Sequence, residues 1–283
     1  MAHTSRHRNA FLSIGLALCL SMPVMAQDKV EKSSYQKCVE KGMTLLEQDS
    51  LLQAESFFLQ AIKAEPSSKS NSLIYNHVGQ IQERTGRLQD ALASYGNAIM
   101  LSPSTEFLLN RASLYIRLNN NDRAQQDYTT ILDSQPDNQE ALFFRAYIYT
   151  SKRMYREART DYEKLISLNP TNEKALLGLA LLNDKTNRPR EAMEQIERLI
   201  SFYPSNALYR TIRGGMHQQH RNYELALKDF NQAILLEPEN PEHLISRAQC
   251  YQEMKKRKQA LADLRKAQSL GGDPVTIAEM LQK

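Results

Sequence analysis

Three histidines come nearest to a metal-binding pattern: His217 and His220, three residues apart, and His243 further on. On a helix, spacing of three places two imidazoles on one face, where further ligands could complete a site. The competing reading is a packed or surface histidine, because His217 falls on the core-facing stripe of its helix. No Gly-rich phosphate loop, nucleophile elbow or His-Glu-x-x-His helix is present. Acidic residues are scattered without a pocket to pair them. The expected chemistry is therefore none: no catalytic residue, no cofactor, no metal. Lys255-Lys256-Arg257-Lys258 forms a basic turn, readable as a solvated face or as a contact for an anionic partner. With 36 Lys and Arg against 32 Asp and Glu, a net charge of +4 implies neither nucleic acid nor a membrane surface.

The first residues read as an address. Arg6, His7 and Arg8 precede an apolar run from Ala10 to Leu20, then Pro23 and the small-residue pattern Val24-Met25-Ala26. This is a signal-peptide pattern over 1–26, with cleavage expected before Gln27 and a short linker over 27–34. The run is too short to span a bilayer, and a retained anchor is the alternative. Leu18 before Cys19 argues against a lipoprotein site. Cleavage would leave Cys38 and Cys250, too far apart along the array for a disulfide.

The elements that must position any site are set by a period. Ala54, Ala91, Ala124, Ala158, Ala192, Ala226 and Ala260 are spaced by 34 residues after two initial intervals of 37 and 33. Twelve residues after each of the first six stands a proline, from Pro66 to Pro238, and twelve before each alanine stands Gly or Ala. With the proline at position 32 of each unit, position 8 is small, 20 is Ala, 24 is large and 28 is mostly Ile. Positions 20, 24, 27 and 28 form one helical stripe, and 4, 8 and 11 another. Turn formers such as Gly86, Asn119 and Asn187 separate them. Each unit is helix, tight turn, helix. A polar loop at Ser67–Asn71 absorbs the long first interval and is expected to hinge.

This combination resembles the tetratricopeptide-repeat (TPR) family from Tyr35 to about Pro274. The resemblance implies an all-α, right-handed α-solenoid of seven helix-turn-helix units, at 35–71, 72–104, 105–138, 139–172, 173–206, 207–240 and 241–274. The seventh departs from the pattern, with Gly272 at position 32. Asp273-Pro274 then reads as an N-cap and first helical residue of a capping helix over 275–283.

Arg and Asp come and go together along the chain. Position 7 is Arg111, Arg145, Arg213 and Arg247, and position 23 is Asp127, Asp161, Asp229 and Asp263 in the same units. The others carry Lys41 with Phe57, Val78 with Ser94 and Leu179 with Gln195. Pairing within a unit satisfies all four arginines, so a bridge locking the two helices together is expected.

The resemblance also places positions 2, 5, 9 and 12 on the concave face. There Leu109, Phe143, Phe144, Tyr147, Leu177 and Leu181 are expected to cluster as an apolar peptide groove, or to pack between adjacent helices. The family's clamp for a C-terminal carboxylate is matched only at Asn110; Asn76, Gln80, Glu140 and Phe144 depart from it. The resulting expectation is an exported, periplasmic or secreted, non-enzymatic scaffold for a protein or peptide. An envelope assembly or secretion factor and a metal-dependent regulator are the alternatives.

Overall fold

The computed structural model describes residues 32–282. The segment 1–26 expected to be a signal peptide, the expected linker as far as residue 31, and Lys283 lie outside the described residues. Fifteen α-helices and no strand occupy the described residues. They run α1 (Ser34–Glu47), α2 (Leu51–Ala64), α3 (Asn71–Arg84), α4 (Leu88–Leu101), α5 (Thr105–Arg117), α6 (Asn121–Ser134), α7 (Gln139–Ser151) and α8 (Tyr155–Leu168). There follow α9 (Glu173–Lys185), α10 (Pro189–Phe202), α11 (Ala207–Gln219), α12 (Tyr223–Leu236), α13 (Pro241–Glu253), α14 (Arg257–Ser269) and α15 (Pro274–Leu281). Each odd-numbered helix from α1 to α13 packs on the even one after it, and each even one on the helix that follows it. The fold is an α-solenoid.

Small residues set the spacing inside each pair. The seven alanines are at most 1% exposed. Large side chains fill the space beside them: Phe58, Tyr95, Tyr128, Tyr162, Ile196, Phe230 and Leu264 are all buried. Burying one such side chain stabilises the fold by roughly 1.5–3 kcal/mol. A Cβ added to Gly79 would lie 2.6 Å from the Tyr95 ring, and one added to Gly214 would lie 2.7 Å from Phe230. The stripes are wider than the periodicity indicates. Ile74, Phe107, Ala141, Ala175, Tyr209 and His243, together with Ile81, Leu114, Ile148, Leu182, Met216 and Cys250, are buried as well. These side chains extend the core-facing stripe of each odd-numbered helix from α3 to α13. No described helix precedes α1, and its equivalents there, Lys37 and Thr44, are polar and exposed.

Every turn within a pair uses one left-handed residue. Gly86 has φ +81°, and Asp49, Asn119, Arg153, Asn187, Arg221 and Lys255 have φ between 56° and 61°. The next amide then closes back on the helix, as when Met154 N–H donates to the Tyr149 carbonyl at 2.8 Å. This bond satisfies a carbonyl otherwise orphaned at the helix end. At the other ends Asn138 and Asn172 cap α7 and α9 by accepting from Ala141 and Ala175 N–H. Asp273 caps α15, which begins at Pro274 and ends at Leu281.

The polar loop at Ser67–Asn71 carries a side-chain clip. Asn71, fully buried, donates its side-chain amide to the Glu65 carbonyl at 2.7 Å and to that of Pro66 at 3.4 Å.

Candidate functional site

Four arginine–aspartate pairs cross between the helices of one pair. Arg145 Nε and Nη2 donate to the two carboxylate oxygens of Asp161, each at 2.8 Å. Arg111 with Asp127, Arg213 with Asp229, and Arg247 with Asp263 repeat the fork at 2.6–2.9 Å. The aspartates are nearly sealed while the arginines keep about a fifth of their surface. Two parallel charge-assisted bonds fix geometry as well as charge, and the hydrogen bond to each aspartate raises the guanidinium pKa. Both charges are consumed internally, which leaves no open charged site.

The bridge has a third member. Four residues after the arginine stands Tyr115, Tyr149 or Tyr251, with the guanidinium 5.6–5.9 Å from the ring centroid. One helical turn places the ring under the cation. In α11 the same place holds His217, whose Nε2 lies 4.0 Å from Asp229 Oδ2. Burial, opposed by Asp229 and reinforced by Arg213, lowers its pKa below the ordinary 6.5. Leu45, Gln82 and Asn183 occupy this place in the pairs without a bridge, so the signal was available in the sequence.

Different polar contacts appear where the bridge is missing. Across α2, α3 and α4, Arg87 and Gln82 both donate to the buried Glu55, and Ser94 donates to Gln82. In α10, Arg198 donates to Gln195 and to the Pro170 carbonyl.

The three histidines do not converge. His220 is exposed at the end of α11, while His243 is buried with Nδ1 2.9 Å from Thr211 Oγ1 and Nε2 3.0 Å from Glu237. Among the described residues no cluster of three metal-ligating side chains is placed to hold an ion. Cys38 and Cys250 are free thiols.

The six apolar candidates divide. Phe144 stacks on Tyr128, with centroids 5.6 Å apart, and so serves the seam between pairs rather than an open face. Leu109 and Phe143 pack partly into the same core cluster, and Leu177 into the next one. Lys174 Nζ sits 5.5 Å over the Phe143 ring. Tyr147 and Leu181 are 50% and 48% exposed, at equal positions of α7 and α9, which touch. Asn110 donates to Asn76, and Asn76 to Glu106, both at 2.9 Å. Those amides satisfy one another.

Three family models described as tetratricopeptide repeat match residues 73–105, 109–153 and 149–214. A tetratricopeptide repeat protein from Parabacteroides merdae ATCC 43184 is 28% identical, with 88% of this chain and 98% of that one covered, and a TM-score of 0.66. PilF of Pseudomonas aeruginosa is 15% identical, over 79% and 97%, at TM-score 0.57. MamA of Desulfovibrio magneticus RS-1 is 18% identical, over 59% and 95%, at TM-score 0.56. The last two likenesses concern the fold alone. Repeat pattern, helical pairing, family models and structural neighbours agree: the chain belongs to the tetratricopeptide-repeat family.

Proposed function

We propose that the chain is a non-enzymatic scaffold of an exported, periplasmic protein, holding an apolar or amphipathic segment of another protein against α7 and α9. One observation carries the reading. Tyr147 and Leu181 stand half-exposed on touching helices, beside the partly buried Phe143 and Leu177. Large apolar side chains in that state gain on burial, and an aromatic ring with few rotatable bonds makes an efficient anchor. The basic-then-apolar order of residues 6–20, followed by Val24-Met25-Ala26, supports export.

Proteins captured by the unmodified chain from an envelope extract should be lost from a Tyr147→Ser/Leu181→Ser variant. They should survive Leu235→Ser on α12, which removes a still more exposed leucine elsewhere. Retention of every partner by the double variant would refute the reading.

A further inference from the structure

Because helix directions alternate, the turns inside pairs line one edge of the array and the connections between pairs line the other. In the first three pairs the inner-turn edge is balanced, with four basic and four acidic residues over 47–53, 84–90 and 117–123. These charges are largely paired along the array. Arg84 reaches Asp49 at 2.5 Å, Arg87 reaches Glu55 at 2.5 Å and Arg117 reaches Glu83. Lys152 then reaches Asp122.

Beyond Lys152 the ladder ends. The four later turns, 151–157, 185–191, 219–225 and 253–259, hold eleven basic residues against four acidic. Arg153, Arg156, Arg188, Arg190, Arg221 and the run 255–258 are exposed, and none has a carboxylate partner among the described residues. Of the four acids Glu157, Glu191, Glu224 and Glu253, the last accepts a bond from Gln218. The opposite edge reverses the sign. Over 133–140, 167–174, 201–208, 235–242 and 269–276 it holds eight acidic residues and one basic, Lys174. A net charge of +4 conceals this segregation.

We propose that the inner-turn edge of α7–α14 docks peripherally on the anionic surface of a phospholipid bilayer. The cations stand on turns rather than in a groove, so they attract negative charge without reading a shape. Near an anionic bilayer each such side chain strengthens binding roughly fivefold, which is the upper end of what an exposed ion pair contributes. The acidic opposite edge is repelled by the same surface, which orients the molecule. At its far end the basic edge borders a cavity of about 530 Å³, whose lining sets Lys255 and Arg257, with Glu253, beside Leu261, Met280 and Leu281. Positive charge beside apolar surface is the complement of an anionic lipid. A single-stranded nucleic acid fits less well: bases need open aromatic faces, and Lys185 already covers Tyr155, at 5.8 Å. This surface is distinct from the apolar face of α7 and α9 and does not depend on how that face is used.

The test is partition of the full chain onto vesicles of phosphatidylcholine alone and of phosphatidylcholine with phosphatidylglycerol. Phosphatidylcholine alone measures the apolar contribution of residues 1–26, and the charge of Arg6 and Arg8 is common to every variant. Partition should be about tenfold or more stronger on the anionic vesicles, and the preference should collapse at high salt. Lys255→Glu/Lys256→Glu should remove most of it. Lys63→Glu/Lys69→Glu, the same charge change on the other edge, should leave most of it, with equal melting curves for both variants. Equal partition onto both vesicle types overturns the proposal, as does equal loss in both variants. A stronger salt-sensitive preference for an oligonucleotide or an acidic protein over the vesicles also overturns it.

Discussion

Two neighbouring helix pairs, α7–α8 and α9–α10, share nearly everything except the polar bridge. Both carry an Asn cap, Ala at the close approach, a buried Ala opposite and a left-handed turn residue, Arg153 or Asn187. Where α7–α8 has Arg145, Tyr149 and Asp161, α9–α10 has Leu179, Asn183 and Gln195, all three buried. The backbone arrangement survives the exchange. Small-against-large packing therefore sets the geometry of a pair, and the margin beside it accepts either a bonded charge pair or an uncharged set. This agrees with the general behaviour of buried ion pairs, which are costly to break and cheap to replace whole.

The largest expected effect breaks the comparison at its polar member. Asp161→Ala strands Arg145 and should cost roughly 3–5 kcal/mol, read from urea unfolding. Adding Arg145→Leu to Asp161→Gln, which copies α9–α10, should recover most of the loss. A double variant no more stable than Arg145→Leu alone would show that the two residues are not coupled.

The next experiment tests the packing that both pairs keep, in α11–α12, where packing and bridge coexist. Gly214→Ala pushes a methyl group against Phe230 and should cost about 1–3 kcal/mol. Gly215→Ala, with nothing within 4 Å, should instead gain up to about 1 kcal/mol of helix propensity. If both substitutions are neutral, close approach at Gly214 does not fix the pair.

The smallest effect concerns the bridge's third member. His217 has a folded pKa below 6.5, so the unfolded chain takes up the proton first as pH falls. Stability from this group is complete above about pH 6.5 and declines below it, down to the lowered folded pKa. His217→Tyr copies Tyr115, Tyr149 and Tyr251 and should remove that decline. Its advantage should be larger at pH 5 than at pH 8; an equal advantage at both would place the pH dependence elsewhere.

Much of the fold was legible because it repeats by residue type. Position 20 is always Ala, and its partners keep their size class from one unit to the next. The Arg–Asp bridge was legible for the same reason, since its members vary together. Ile74, Phe107, Ala141, Tyr209 and His243 share a position but no type, so periodicity passed over them. Tyr149 read as core because a cation–aromatic contact has no spelling distinct from apolar packing. Arg153 and Arg221 do not read as turn residues, since the surrounding helices impose a backbone that Gly or Asn adopts more readily. The Glu55–Gln82–Arg87 contacts join different pairs and occur once. On the apolar face, composition marked α5, α7 and α9. It could not separate Phe144, turned into the seam against Tyr128, from Tyr147 three residues on, because adjacent helical positions differ only in direction.

Burial of one thiol has a kinetic consequence. Cys250 is fully enclosed beside Ala226 and Phe230, and burial pushes its pKa up to about 11. Thiol reagents attack the thiolate, so Cys250 can be modified only while the packing around α13 is transiently open. Cys38, partly exposed on α1, is not sealed in this way. The rate at which Cys250 is blocked, compared with Cys38, is then a clock for excursions of the last helices, carried within the molecule and requiring no engineered label.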